Sequence, residues 1–378
     1  MSDYMPVELV IGILKRLPVK SLVRFRSVCK SWNTLFTHPC FISTHLQSSL
    51  SNNTPFLLLN YRKNGKHHYF LHYDNDGVEE LKQLQFPEFG YAAESPVVGS
   101  CNGLICVLLH PFRDFHFLLW NPSIQKYISL PSANGIECQY INFGFGFDSR
   151  TNDYKLLIVG VDEYGNWIQP YLFSFNENCW RKVTAAYPNY AVVFGMSMPF
   201  VNGALHWLGH RKRNEDELSI VISGFDLSAG EFFKINLPES FIGLWHFDLS
   251  IMKYGESSIA AITHPRDAEL NELWVMKEYG VVESWTKLFT LHTSAHYPWF
   301  PIVLEFRKNG EVLLEVDDGK MASLDLNCQA QQMELHGVEV GSELLNVNSY
   351  VESLVMLDKT VDIRSESAVN HPIDSTFK

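Results

Sequence analysis

The chain has few of the features that usually announce a reaction or a membrane. Its seven cysteines (Cys29, Cys40, Cys101, Cys106, Cys138, Cys179 and Cys328) are odd in number, scattered, and never spaced Cys-x-x-Cys. That speaks against a disulfide framework or a thiolate zinc site and fits buried or idle thiols in a reducing compartment. Long apolar runs are missing: stretches such as Leu104–Leu109 fall far short of the ~18 residues a membrane span needs. Met1–Tyr4 is polar and carries no signal-peptide pattern, so a cytoplasmic or nuclear protein is expected, with no membrane partner. There is no Gly-x-x-x-x-Gly-Lys phosphate loop and no Gly-x-Ser-x-Gly elbow. His67, His68, His206, His210, His246, His264, His292 and His296 are spread along the chain and form no convergent metal set. Asp148, Asp153, Asp317 and Asp318 stand where turn chemistry already accounts for them. The expectation is a protein without cofactor, metal or catalytic side chain.

Apolar residues make up 46% and aromatics 13%, enough for at least one full core. The formal charge of −12 is unevenly spread. Residues 1–50 hold Lys15, Arg16, Lys20, Arg24, Arg26 and Lys30 against Asp3 and Glu8, a net of +4 that leaves −16 on the remainder. A basic head on an acidic body points to two different partners, and the acidic body argues against nucleic acid, whose phosphates need a basic face.

Residues 6–46 read as short helices. Pro6 suits a first helical turn, with Val7, Val10, Ile11 and Leu14 at helical spacing behind it. Leu17-Pro18 ends that helix, and Ser21 can cap a second that carries Leu22 and Phe25. Val28, Trp32, Leu35 and Phe36 form a third stripe, and Pro39 can start a fourth. So short a segment buries too little surface to be stable alone. A helical cap on the larger body and a module that docks on something else both account for the pattern.

The run from Met5-Pro6-Val7-Glu8-Leu9 through Ile13-Leu14-Lys15-Arg16-Leu17-Pro18 to Ser27-Val28-Cys29-Lys30-Ser31-Trp32 resembles, without a gap, the F-box motif in its plant form. The resemblance implies a small helical module that binds a Skp-type adaptor and, through it, a cullin and a RING subunit. Met5, Pro6, Leu9, Ile13, Leu14, Leu17, Pro18, Leu22, Val28 and Trp32 match the motif's apolar positions. Some of these would form the module's own core and others the adaptor surface. Met5 replaces the usual Leu, and Gly12 is an uncommon helix residue there.

After Ser48 the composition changes. Residues 49–55 read as a polar linker. Beyond them short apolar runs alternate with Gly, Asn, Asp and Pro, the signature of an all-β region. Two elements repeat. Polar turns before a strong strand begin at Asn102, Asn152, Asn202, Gly255 and Asn309, in steps of 50, 50, 53 and 54. Strands ending in a polar turn fall near Asp74, Asn121, Asn176, Asp226, Lys277 and Asp325, in steps of 47, 55, 50, 51 and 48. About four strands per fifty residues is propeller-blade spacing, so a β-propeller of about six blades is expected over 56–357, ahead of an irregular pair of β-sandwiches. Val347–Leu357 is left over as a strand that closes the ring. The tail 358–378, polar and aperiodic, is expected to be disordered. Trp120, Trp180, Trp207, Trp274 and Trp285 are expected at corresponding places in the units, as blade packing requires. Trp167, Trp245 and Trp299 fall nearer loops and are the candidates for touching a substrate.

Leu119-Trp120-Asn121-Pro122, Phe143-Gly144-Phe145-Gly146-Phe147-Asp148, Asn202-Gly203-Ala204-Leu205-His206-Trp207 and Tyr350-Val351-Glu352-Ser353-Leu354-Val355 resemble the kelch-like F-box-associated domain of plant proteins, most closely the group that contains the S-locus F-box proteins of pollen. The resemblance implies a non-catalytic substrate receptor of a ubiquitin ligase. The S-locus likeness implies a secreted ribonuclease among the candidate substrates. The rival readings are a glycan-active propeller enzyme tethered by its F-box, and an adaptor-bound scaffold with no role in degradation.

Overall fold

The computed structural model describes residues 6–51, 56–63, 66–75, 77–87, 96–110, 115–133, 136, 140–161, 168–186, 191–192, 198–212, 218–241, 243–244, 248–264, 270–292, 302–317, 320–326, 334–336 and 343–358. Four helices open the chain: α1 (Val7–Leu14), α2 (Val19–Phe25), α3 (Lys30–Thr37) and α4 (Pro39–Ser51). Prolines set three of the starts. Pro6 and Pro18 stand at the N-cap with ψ of 138° and 144°, and Pro39 is the first residue of α4. A fixed φ and a missing N–H are harmless where no intrahelical partner exists. Pro18 therefore begins the second helix, not Ser21, which lies inside α2 with its N–H on the Pro18 carbonyl at 2.9 Å. Helix α4 runs on through Ser49, Leu50 and Ser51, which composition assigns to the linker. Its hydroxyls bond back to carbonyls one turn earlier (Thr44 to Cys40, 2.7 Å; Ser51 to Gln47, 2.8 Å), so polar residues do not end the helix.

The remainder forms six antiparallel sheets, the blades of a propeller. The first blade is built from Glu343–Tyr350, Phe56–Lys63, Lys66–Tyr73 and Glu80–Leu84. The second takes Val97–Cys101, Leu104–His110, His116–Asn121 and Lys126–Ser129. The third takes Tyr140–Asp148, Asp153–Val161, Tyr171–Ser174 and Cys179–Lys182. The fourth takes Phe200–Val201 beside Ala191–Val192, then Ala204–Lys212, Leu218–Asp226 and Glu231–Asn236. The fifth takes Leu249–Tyr254, Ser258–Thr263, Leu270–Met276 and Trp285–His292, and the sixth Ile302–Phe306, Glu311–Asp317, Lys320–Asp325 and Glu334–His336. First strands of successive blades approach one another around the axis, the fourth blade meeting the fifth through its second strand and the sixth returning to the first.

Both sequence ladders have a place in this plan. The five turns beginning at Asn102, Asn152, Asn202, Gly255 and Asn309 join first to second strands in blades two to six. The six turns near Asp74, Asn121, Asn176, Asp226, Lys277 and Asp325 join third to fourth strands in every blade. The first blade has no first-to-second turn, because its first strand is the last of the described strands. That strand, Glu343–Tyr350, pairs with Phe56–Lys63 from Phe56↔Tyr350 to Arg62↔Glu343, so the two ends of the β region shut the ring. The closing strand is thus earlier than the expected Val347–Leu357: Val351–Leu357 leaves the sheet and turns toward the helices.

Six apolar clusters fill the six seams between blades. Strand periodicity deals consecutive residues to opposite seams. Leu104, Cys106 and Leu108 face the third blade, while Ile105, Val107 and Leu109 face the first. Both faces are buried, which explains why these strands read as unbroken apolar runs. The tryptophans do not share one position. Trp207 lies on a second strand, Trp120 and Trp274 on third strands, Trp180 and Trp285 on fourth strands. Each packs a seam from a different depth; Trp180 reaches back to donate Nε1–H to the Pro131 carbonyl at 2.8 Å.

Candidate functional site

The helical module separates its apolar residues cleanly. Leu14 and Leu22 are buried, packed with Val19, Phe36, Phe41 and Ile42, while Leu17 and Trp32 are half-buried against the same cluster. A chain of aromatic contacts runs through it: Phe25 to Trp32, Trp32 to Phe36, Phe36 to Phe41, with centroids 5.5, 5.9 and 5.3 Å apart. His45 closes the inner end, its Nε2 3.0 Å from the Leu17 carbonyl that follows α1. Burial pushes its pKa down and the carbonyl opposes this, so the neutral ring donates through Nε2–H.

Leu9, Ile13 and Val28 point the other way, 59%, 52% and 64% exposed, and Val7 and Leu50 are exposed as well. These five are most of the eight large apolar side chains left in solvent among the described residues. Leu9 and Ile13 stand four residues apart, on one side of α1. Concentrated apolar exposure of this kind marks an interaction surface. Of the module's basic residues, Arg16, Lys20, Arg24 and Lys30 are exposed as well. Pro6 and Pro18 are exposed too, at the helix starts, and Met5 lies outside the described residues.

The two propeller faces differ. First-to-second turns, which are short, and third-to-fourth turns lie at one end of the strands. Asn102 with Gly103, and Asn202 with Gly203, take positive φ at both positions (53° and 78°, 50° and 79°), as tight hairpins demand. This turn face carries the helical module. Phe56, where the chain arrives from α4, and Tyr350, where it leaves the closing strand, are both at this end. The connections between successive blades and those between second and third strands lie at the opposite end, the long-connection face, and include the longest, 85–96 and 237–248.

Trp167, Trp245 and Trp299 lie outside the described residues. The strands that bracket them end on the long-connection face: Val161 and Tyr171, Asn236 and Leu249, His292 and Ile302. Leu270 and Ile302, 38% and 37% exposed, are the first residues of their strands on that same face, in blades five and six.

Among the described residues, the polar side chains near that end are packed on strands. Ser250 Oγ lies 3.2 Å from His264 Nε2. Burial lowers the pKa of His264, opposed by a hydrogen bond to Asn271 and the charge of Asp248. The pair belongs to a packed polar cluster on strands of the fifth blade, not to a loop-borne nucleophile. Among the described residues no three His, Cys, Asp or Glu groups are placed to hold a metal ion, and no helix is long and apolar enough to cross a membrane. Asp148 is a turn residue. Burial raises its pKa, and bonds from Lys155, Ser228, Thr151 and the Arg150 N–H overcome that and hold it well below the usual carboxylate range.

Sequence reasoning missed the junction between module and propeller. Leu354 and Leu357 belong to the helical core, 0% and 3% exposed. Asn121 Nδ2 donates to the Ser353 and Val355 carbonyls at 3.0 and 2.9 Å, and Lys126 Nζ to the Leu357 carbonyl at 3.1 Å. A Cβ on Gly103 would stand 2.6 Å from the Val351 carbonyl, so only glycine admits the segment. The motif around Leu119-Trp120-Asn121 holds the relevant residues, but nothing local to it names their partner some 230 residues away.

Residues 3–44 match the family model of the F-box domain, and residues 76–357 that of the F-box associated beta propeller domain. Two relatives from Arabidopsis thaliana align over most of both chains. An F-box/kelch-repeat protein is 27% identical over 84% of this chain and 89% of its own. The F-box protein CPR1 is 26% identical over 93% of this chain and 88% of its own. Among solved structures, a putative 6-phosphogluconolactonase from Bacteroides fragilis aligns at a TM-score of 0.41 and 8% identity, covering 79% of this chain and 99% of that one, a likeness too weak to bear on function.

Proposed function

Since this chain belongs to the F-box proteins with an F-box associated beta propeller domain, we propose that it is the substrate-recognition subunit of an SCF-type cullin-RING ubiquitin ligase. The helical module docks a Skp-type adaptor, and the propeller holds a protein substrate. The observation that carries this reading is the division of surfaces. The exposed apolar set Leu9, Ile13 and Val28 is on a module seated at the turn face, which leaves the long-connection face free for a second protein. No catalytic side chain is required. Holding a target beside the charged ubiquitin carrier raises its effective concentration, and that is the whole of the mechanism assigned to this chain.

The substrate sits on the long-connection face, contacted by the segments bearing Trp167, Trp245 and Trp299, beside Leu270 and Ile302. The blades are consumed by seam packing, so specificity falls to the connections. The net −16 beyond residue 50 favours a substrate with a basic contact face. A basic secreted ribonuclease taken up into the cytosol meets that description and follows from the S-locus likeness.

The test is affinity purification of the intact protein beside single Trp167→Ala, Trp245→Ala and Trp299→Ala variants, with adaptor capture as the folding control. At least one should weaken substrate capture by about 1–2 kcal/mol, the scale of an interface anchor, and capture should weaken as salt rises. Normal capture by all three, with no salt effect, would refute the placement. A parent protein that captures no adaptor would refute the ligase role itself.

A further inference from the structure

We propose that Val351–Leu357 is a clasp that completes the helical module's core and makes adaptor docking conditional on closure of the propeller ring; the proposal rests on the docking role assigned above. The module's own residues are too few to bury a sufficient core. Its cluster is finished by Leu354 and Leu357, which come from the far end of the chain and are as deeply buried as Leu14 or Leu22.

The segment is built to face two ways. The Leu357 N–H donates to the Leu354 carbonyl at 2.9 Å, a turn that sets both leucines toward the helices. Between them Met356 takes a φ of 70° and buries its side chain in the seam of the second and third blades. Polar anchors hold the backbone between these apolar contacts. Asn121 and Lys126 take three carbonyls as described, Lys126 Nζ also lies 3.4 Å from the Met356 carbonyl, and Ser123 Oγ is 2.6 Å from the Tyr350 hydroxyl where the closing strand ends. Glu352 lies 3.9 Å from Lys82 of the first blade, and its charge also interacts with Lys20 of α2.

The position of the clasp follows from the ring. Tyr350 is set by its pairing with Phe56, and the next residues have no other route to the helices. A chain whose closing strand is unpaired cannot deliver Leu354 and Leu357, and because they lie so late in the chain, the module's core is completed only after all six blades are made. Adaptor recruitment thereby reports that the substrate-binding body is whole. Loosening the core lowers the docking-competent fraction of the module, and apparent affinity falls in the same proportion.

The experiment uses the full-length protein with Leu354→Ser and Leu357→Ser together, read by adaptor affinity and by amide hydrogen exchange. Affinity should fall by about tenfold or more, as expected if roughly one module in ten stays competent. Exchange should quicken in α1–α3 while the strands of the first blade stay protected, and Leu354→Met with Leu357→Met should restore both. If the serine pair yields no soluble protein, Lys126→Met with Asn121→Leu, which frees the clasp backbone and keeps the leucines, must show the same loss. Parent-like affinity and parent-like helix exchange in the soluble pair overturn the clasp. If the parent itself fails to bind adaptor, the docking role falls, and helix exchange alone decides whether the clasp completes the core.

Discussion

Arg307 Nε lies 2.7 Å from Asp74 Oδ1, joining side chains that are 1% and 3% exposed and 233 residues apart. The contact crosses the seam between the sixth and first blades. Arg307 also donates to the Asn75 carbonyl at 2.6 Å and to Ser323 Oγ at 2.9 Å, and pairs with Glu311, so its fork is well used. A related contact links the third and fourth blades, where Lys155 Nζ pairs with Asp148 of its own blade at 2.6 Å and donates to the Leu227 carbonyl across the seam at 2.8 Å. The first blade has no first-to-second turn to meet the second, and there Asn121 takes the Ser353 and Val355 carbonyls instead.

Arg307→Met removes the cation and leaves Asp74 buried without it. Stability should drop by about 3–5 kcal/mol, the cost of a broken buried pair, read from urea midpoints at constant slope. A loss within the ~1 kcal/mol of a surface pair would show that the seam does not depend on it.

The two classes of F-box residues should answer differently. Leu9→Asp with Ile13→Asp places charges that stay in solvent until the adaptor arrives. Melting should be nearly unchanged and adaptor capture lost. Leu14→Asp with Leu22→Asp buries two charges at several kcal/mol each, on the order of the penalty for unpaired polar burial. That pair should unfold the module, so its loss of capture would say nothing about contact. Capture that survives the exposed pair would place the docking surface elsewhere.

Ring closure is tested by length. Ending the chain after Ser342 removes the closing strand and clasp, exposing Leu57, Leu59 and the edge of the first blade; the product should be protease-sensitive and aggregate. Ending it after Asp358 should match the parent. A shorter product as soluble and resistant as the parent would mean that the strand is dispensable.

His206 makes the propeller acid-sensitive. The fully buried ring lies 2.7 Å from the Tyr279 hydroxyl and 3.2 Å from the Pro199 carbonyl, and burial lowers its pKa from 6.5 to about 4, against backbone hydrogen bonds at Pro199 and Ala204. Between these values the unfolded chain binds a proton that the folded ring refuses. Stability is therefore full above pH 6.5 and falls as acid is added through pH 4, by on the order of 3 kcal/mol. His206→Gln should flatten that part of the stability curve. An unchanged slope would assign it to other groups.

Much of the fold was legible because local chemistry repeats. A tight turn wants Asn or Gly wherever it occurs, so five turns of one kind and six of another could be counted before any blade was seen, and the rung missing from the first ladder marks the blade closed by the chain's end. The tryptophans misled for the opposite reason. A seam needs bulk somewhere along its depth, and no local rule says on which strand. The F-box positions were readable as a set, but Leu9 and Leu14 are alike in a helical stripe and part company only once a neighbour covers one of them.

By itself, then, the sequence determined the helical head, the β body, the blade count and the family, all written in spacings of at most 55 residues. Tertiary structure alone decided which F-box leucines face outward, where the closing strand stops, and that Leu354 and Leu357 finish a core begun at Leu14. Those outcomes depend on contacts between separate elements, from Leu14 with Phe36 inside the module to Leu354 with the helices more than three hundred positions earlier. Burial is a property of the assembled surface, so it leaves no periodic trace in either partner.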